Sequence, residues 1–137
     1  DNAAPGAVNA RLVSILLKHK VQLARFESNN AGMYFAKDVA EIVAQRGYTV
    51  AIRTKRTISN KQTRIEFASD NIKKHFYFRH PSTYERGSQY WAFMKEVTTY
   101  TRSGKVPHDD APDSLSLLEN EIRLRTGGKI EVFRRPC

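Results

Sequence analysis

The first 53 residues alternate between two hydrophobic periodicities, and this alternation constrains the fold more than any other feature of the chain. Residues 9–20 and 31–46 carry apolar side chains at helical spacing, and in the second segment Phe35, Val39 and Val43 recur every four residues. Residues 21–26 and 48–53 are short apolar runs, which is typical of buried strands. Helix, strand, helix and strand joined by short loops are the order of α/β units on parallel strands. The sequence therefore predicts an α/β fold.

The rest of the chain continues this pattern less regularly. Residues 61–74 have apolar side chains at helical spacing, and the aromatic residues 76–78 resemble a short strand. A helix is expected from Ser82 or Thr83 to about residue 101, and another after the run HDDAPD. Residues 124–137 are expected to form a basic tail. At 137 residues the chain is expected to be a single, partial domain.

The charge of the chain favours a polyanionic partner. It has 23 Lys and Arg residues against 14 Asp and Glu residues, which suits nucleic acid or an acidic membrane face. No apolar run approaches the roughly 18 residues of a membrane span, so we expect a soluble protein. Residues 53–64 form a basic loop with five cations and no acid. Four of these cations are expected to contact DNA phosphates, the alternative being a solvated loop: Lys55, Arg56, Lys61 and Arg64.

The run HDDAPD concentrates a histidine, His108, and three carboxylates, Asp109, Asp110 and Asp113, at an expected helix start. Helix capping and the helix dipole account for one or two of these acids. Crowded carboxylates raise each other's pKa and cost stability unless a cation neutralises them. Carboxylate oxygens are the ligands that Mg²⁺ and Mn²⁺ prefer. Metal binding and helix capping therefore both remain open.

A second acidic position, Glu27, follows the first predicted strand. The carboxyl ends of parallel strands are where α/β sheets place their chemistry, and Asn29 and Asn30 are expected to order the loop behind it. The alternative is a surface glutamate whose neighbours only cap a helix. A glutamate at a strand end and an acidic helix start, far apart in sequence, are the arrangement from which two-metal phosphodiester cleavage is built.

Three segments, "ESNNAG" after an apolar strand, "NKQTRI", and "HDDAPDSL" after an aromatic helix, resemble the nuclease domain of the large terminase subunit of tailed double-stranded-DNA phages. The likeness covers about residues 12–118, and HDDAPDSL is its most diagnostic part. It implies an RNase H-like fold, in which a mixed sheet carries helices on both faces. It also implies metal-dependent endonucleolytic cleavage of concatemeric double-stranded DNA during genome packaging.

The resemblance also implies roles for the acidic residues. Glu27 matches the family's second acidic position, and His108, Asp109 and Asp110 match its C-terminal metal-binding cluster. Glu27 would bind the metal together with Asp110 or Asp109. His108 would bind metal or move a proton, and Asp113 would be a ligand or a cap. The expected cofactor is Mg²⁺ or Mn²⁺, with two ions in the site.

One departure from the family concerns the start of the chain. The family's first catalytic aspartate lies on the first of three antiparallel strands that precede the first helix, where this chain begins. The resemblance therefore implies that those strands and one metal ligand are missing, and whether the fragment alone is active stays open. No GxxxxGK[ST] loop is present, so ATP hydrolysis by that route is not expected. The implied partners are double-stranded DNA, the ATPase motor domain, the portal and the small terminase subunit, in the host cell cytoplasm.

Two other functions remain as alternatives. One is an RNase H-like resolvase or recombinase that acts on branched DNA. The other is a non-catalytic DNA- or partner-binding module whose acids only cap a helix. Four aromatic residues suit base stacking, although their helical spacing favours a place in the core: Tyr84, Tyr90, Trp91 and Phe93.

Overall fold

The computed structural model describes residues 5–101 and 108–127. The chain divides into two compact units, Asp1–Ile58 and Ser59–Cys137. In its described part, the first unit contains α1 (Pro5–Lys18), β1 (Leu23–Glu27), α2 (Asn30–Gln45) and β2 (Ala51–Lys55). The described part of the second contains α3 (Lys61–His75), a short 3₁₀ helix (Pro81–Thr83), α4 (Gln89–Thr99) and α5 (Asp110–Arg125). The predicted α/β class is confirmed.

The sheet of the first unit is a parallel pair. β1 and β2 align from Leu23 opposite Ala51 to Glu27 opposite Lys55, with α2 as the crossover between them. Parallel strands require such a crossover, which explains the alternation in the sequence. The carboxyl ends of both strands therefore lie at one edge of the sheet, with Glu27 on it.

The core of the first unit is formed where α1 and α2 pack. Val13 and Leu16 of α1 and Val39 and Val43 of α2 are buried together. The spacing of these residues is that of a helix face, so the predicted periodicity is confirmed. β2 begins three residues later than expected, because the N–H of Tyr48 donates to the Val43 carbonyl and so completes the end of α2.

The second unit is built on α3 and α5, with α4 also packed on α5. Ile65 and Ala68 of α3 and Ala111 and Leu115 of α5 are buried apolar residues of this unit. The side chain of Asn60 accepts hydrogen bonds from two backbone N–H groups in the first turn of α3, which fixes where that helix begins. The helix expected at residues 61–74 is thus confirmed.

Three expectations for the second unit differ from the structure. Residues 76–78 carry no strand, and no described segment pairs with them. α4 begins at Gln89, later than expected, because Gly87 has a φ of 85° and the Ser88 side chain caps the helix at the Trp91 N–H. The helical spacing of Ala111, Leu115 and Leu118 predicts one inner face of α5, but Leu118 is half exposed. Residues 128–137 of the predicted basic tail lie outside the described residues. Within residues 5–101 and 108–127, no helix has both the length and the apolar character needed to cross a membrane.

Candidate functional site

The first turn of α5 is not capped by its own aspartates. Asp109 occupies the N-cap position, yet its side chain makes no capping hydrogen bond. Instead, the Ala111 N–H donates to Oε2 of Glu96 on α4, at 3.2 Å. A carboxylate from a neighbouring helix therefore satisfies this backbone group and complements the helix dipole. Capping by Asp109 does not account for the acidic run.

The carboxylates of the run converge instead on Lys61, the first residue of α3. Its Nζ lies 3.0 Å from Asp109 Oδ1, 3.4 Å from Asp110 Oδ1 and 3.9 Å from Asp113 Oδ2. The hydrogen bond to Asp109 raises the pKa of Lys61, an effect that burial partly opposes. The ammonium group thus remains charged and lies between the three carboxylates. We call Lys61, Arg64, Asp109, Asp110 and Asp113 the acidic cluster.

Asp113 is held by Arg64, one turn along α3 from Lys61. Arg64 Nη2 donates to Asp113 Oδ1 at 2.8 Å and to Oδ2 at 2.9 Å, and its Nε donates to Oδ1 at 3.3 Å. The side chains are 15% and 10% exposed, so this is a largely buried, charge-assisted pair. It joins the beginning of α3 to the beginning of α5.

The acidic cluster retains a negative surplus, because two cations face three carboxylates. The surplus is greatest at Asp110, whose side chain is 94% exposed and whose partner among the described residues is Lys61 at 3.4 Å. Asp109 has the shorter contact with the same ammonium and is partly exposed. The solvent side of the cluster is therefore an accessible pair of adjacent carboxylates.

These donors suit a divalent ion only in part. Asp109 and Asp110 provide hard oxygen ligands, and the Lys61 ammonium group already lies between them. Mg²⁺ would require oxygens at about 2.1 Å, so it would have to displace Lys61. Both oxygens of Asp113 are engaged by Arg64, so a ligand role for Asp113 would require Arg64 to move away. Among the described residues, no group of three or more His, Cys, Asp or Glu side chains is arranged to hold a metal. His108 directly precedes Asp109 in the sequence, and its side chain is exposed.

Glu27 lies in the other unit, at the end of β1. Asn29 Nδ2 donates to Glu27 Oε2 at 3.4 Å, and the Ser28 N–H donates to the Lys55 carbonyl at 2.9 Å. Asn29 therefore contacts Glu27, and its role in ordering this loop stays a prediction. The side chain of Asn30 lies outside the described part. That Glu27 works together with the acidic cluster stays a prediction.

A close approach fixes the backbone behind Glu27. The Gly32 N–H donates to the Asn29 carbonyl at 2.6 Å. A Cβ at Gly32 would overlap the carbonyl oxygen of Glu27. Glycine thus allows α2 to begin directly against the end of β1, which holds the Glu27 backbone in place.

The four cations predicted to bind DNA have different surroundings. Lys61 and Arg64 face carboxylates of the acidic cluster. Lys55 is half-buried and Arg56 is exposed. A phosphate contact by Lys61 or Arg64 would therefore compete with an ion pair in the same unit.

Two groups beside the acidic cluster were not expected from the sequence. Glu96 caps α5, and Tyr100 follows α4. Burial raises the pKa of Tyr100, and the negative charges of Glu66 and Asp109 raise it further, so its phenol remains neutral. Neither residue carries a local sequence signal, because each acts on a segment that follows later in the chain.

A buried ion-pair network on α5 was also missed. Glu119 is 2% exposed, accepts a hydrogen bond from Asn71 Nδ2 at 3.0 Å and lies 3.4 Å from Arg123 Nε. The i,i+4 spacing of Glu119 and Arg123 is the signal that could have identified it. The network joins α3 to α5 and so supports the helix pair that carries the acidic cluster.

Tyr84 and two aromatic residues of α4 pack on one another. The Tyr84 and Tyr90 ring centroids lie 4.9 Å apart, and those of Tyr90 and Phe93 lie 5.8 Å apart. Trp91 lies beneath Lys95, whose Nζ is 5.2 Å from the ring centroid. These rings are half-buried, which agrees with the packing role that their spacing favoured.

Comparison with protein-family models, with curated proteins and with solved structures finds no match to this chain. The terminase likeness therefore rests on the three quoted sequence segments.

Proposed function

We propose that this chain belongs to a divalent-metal-dependent endonuclease of the RNase H-like type, which cuts concatemeric double-stranded DNA during phage genome packaging. The observation that best supports this function is the accessible pair of carboxylates, Asp109 and Asp110, with a negative surplus at the start of α5. Such an oxygen pair attracts Mg²⁺ or Mn²⁺ even in a chain with a formal net charge of +9. The overall positive charge favours DNA as the substrate.

In this proposal each residue of the acidic cluster has a separate task. Asp109 and Asp110 hold the metal, which when bound supplies Lewis-acid activation of water and stabilises the leaving oxygen. Lys61, which the metal would displace from Asp109 and Asp110, provides positive charge beside the phosphate. Arg64 and Asp113 fix α3 against α5 and so orient Asp109 and Asp110.

The remaining roles follow from the resemblance. Glu27 provides the second acidic position, held by the turn at Asn29 and Gly32. His108 binds metal or moves a proton. The ATPase motor domain, the portal and the small terminase subunit are the proposed partners.

Nicking of supercoiled plasmid by the full chain in Mn²⁺ tests the activity. We expect relaxed plasmid with the wild-type chain, and no relaxation with EDTA or with Asp110→Asn, which keeps the shape of the side chain but removes its charge. Asp70→Asn is the matched control, because Asp70 is an exposed aspartate on α3 outside the acidic cluster. Full cleavage by Asp110→Asn would contradict the assignment of Asp110, whereas no cleavage by the folded wild-type chain would show that this chain alone holds an incomplete active site.

A second function is favoured by the ion pairs themselves. Because Lys61 and Arg64 face the acids, the cluster is also suited to a non-catalytic DNA-binding module in which the charges only hold two helices together. Under that function, Mn²⁺ would leave the melting temperature unchanged. A metal site would raise it by mass action. A resolvase would instead be recognised by a preference for branched over linear DNA.

A further inference from the structure

The extended segment after α3 has two different sides. Phe76 leaves α3 in an extended conformation with φ −90° and ψ 134°. Phe76 and Phe78 are half-buried and line an apolar pocket. Tyr77, which lies between them, and Arg79, which follows Phe78, are exposed. Alternate residues of an extended segment point to opposite sides. Tyr77 and Arg79 therefore share the outer side, and the Tyr77 residue is 82% exposed.

Positively charged residues precede and follow this exposed ring in the sequence. Lys73 and Lys74 are exposed in the last turn of α3, directly before the segment, and Lys73 also borders the pocket that Phe76 and Phe78 line. Residues 73–86 contain four Lys and Arg residues and one acid, Glu85. Within the described residues, no carboxylate forms an ion pair with Lys73 or Lys74, in contrast to Lys61. We call Lys73, Lys74, Tyr77 and Arg79 the basic aromatic patch.

Arg79 is held in place at the end of the patch. Its guanidinium carbon lies 5.9 Å from the Tyr84 ring centroid and 5.2 Å from that of Tyr90. Its backbone N–H donates to the Tyr90 hydroxyl at 2.9 Å, and its Nη2 donates to the Thr83 carbonyl. A guanidinium fixed by two rings loses little side-chain entropy when it binds a phosphate.

We propose that the basic aromatic patch binds single-stranded nucleic acid, with an unpaired base stacked on Tyr77 and the flanking phosphates held by Lys73, Lys74 and Arg79. An exposed ring between cations is the combination by which single strands are bound without sequence preference. Duplex DNA does not offer a free base face to Tyr77, so the ring adds affinity for single strands alone. The patch contains none of the proposed metal ligands, so this inference does not depend on nuclease activity.

Fluorescence anisotropy in EDTA tests the patch with the full chain. The probes are labelled oligo-dT and oligo-rU of about 16 nucleotides, the upper range of single-strand site sizes, and a DNA duplex of equal length. Tyr77→Ala should weaken binding of the single strands roughly 5- to 150-fold and leave duplex binding unchanged. Tyr77→Trp should keep the affinity, because the indole also stacks. The matched control is Tyr34→Ala, an exposed tyrosine on α2.

The lysines are tested through salt dependence. Each phosphate that a lysine neutralises on a single strand adds about 0.7 to the slope of log affinity against log salt. The double variant in which both Lys73 and Lys74 are changed to Gln should therefore reduce that slope by about 1.4. The same change at the exposed Lys18 and Lys20 should leave the slope unchanged.

Three results would overturn the proposal. In the first, Tyr77→Ala binds single strands with wild-type affinity. In the second, Tyr34→Ala loses as much single-strand affinity as Tyr77→Ala. In the third, Tyr77→Ala weakens duplex binding as much as single-strand binding. A preference between oligo-dT and oligo-rU decides whether DNA or RNA is the better ligand.

Discussion

Replacing Arg64 with Met removes the cation that holds the buried carboxylate of Asp113. In the native chain both Asp113 oxygens accept hydrogen bonds from Arg64 Nη2, at 2.8 and 2.9 Å, in surroundings that leave the Asp113 side chain 10% exposed. Met has similar length and fills most of the same volume, so the main loss is electrostatic. The variant therefore leaves a carboxylate buried without its principal partner.

The size of the effect follows from that geometry. Breaking a buried ion pair by removing one partner costs about 3–5 kcal/mol. Lys61 Nζ remains 3.9 Å from Asp113 Oδ2 and compensates part of the charge. We therefore expect Arg64→Met to lower the free energy of unfolding by about 3 kcal/mol, the lower end of that range.

Urea unfolding measures this free energy directly. The single tryptophan, Trp91, lies on α4 in the second unit, so its fluorescence reports on the part of the chain that contains the ion pair. Arg11→Met, at an exposed position of α1, is the matched control and should change the free energy by less than about 0.5 kcal/mol.

A double-mutant cycle with Asp113→Asn separates the pair from its surroundings. The double variant should be more stable than the sum of the two single changes predicts, by at least about 1 kcal/mol. A loss below about 1 kcal/mol in Arg64→Met, or additive single changes, would refute the reasoning that this pair is a buried structural contact.

Two further predictions concern stability. The raised pKa values of Lys61 and Tyr100 contribute stability that is fully present below their unfolded values of about 10.4 and 10 and is lost as pH rises through the higher folded values. The melting temperature should therefore fall at strongly alkaline pH, and less steeply in Lys61→Met; equal slopes would contradict this. In urea unfolding, Gly32→Ala should lower the free energy of unfolding by about 1–3 kcal/mol, because the added Cβ meets the Glu27 carbonyl oxygen. Gly6→Ala in α1 has open space around the added Cβ and should raise the free energy of unfolding by up to about 1 kcal/mol. Equal effects at the two glycines would be inconsistent with a close approach at Gly32.

The first unit was predictable from sequence because its signals are local. Apolar spacing alone identified α1 and α2, and the short apolar runs between them identified β1 and β2. The start of β2 was misplaced because the Tyr48 N–H bonds back to the end of α2, a contact that propensity does not show. The start of α4 was misplaced because Gly87 and Ser88 determine it through backbone geometry and capping.

The candidate site was predictable only in its residue types. The sequence identified the acids at the start of α5 and the cations of residues 53–64 as notable, but assigned them to different partners. Lys61 and Asp109 are 48 residues apart in sequence and are hydrogen-bonded in the structure. Such a pairing depends on how α3 packs along α5, which the periodicity of either helix does not specify. The concentrated acids are neutralised in part by Lys61 and Arg64 from the same unit.

Binding of Mn²⁺ to the full chain is the most direct test of the central claim that the acidic cluster is a metal site. Electron paramagnetic resonance of free Mn²⁺ gives the bound fraction without requiring catalysis. We predict that the wild-type chain binds Mn²⁺. The double variant in which both Asp109 and Asp110 are changed to Asn should bind Mn²⁺ at least about tenfold more weakly. Asp70→Asn should leave the affinity unchanged. Absence of Mn²⁺ binding, or equal binding by the double variant, would contradict the claim and leave the cluster as an ion-pair network between α3 and α5.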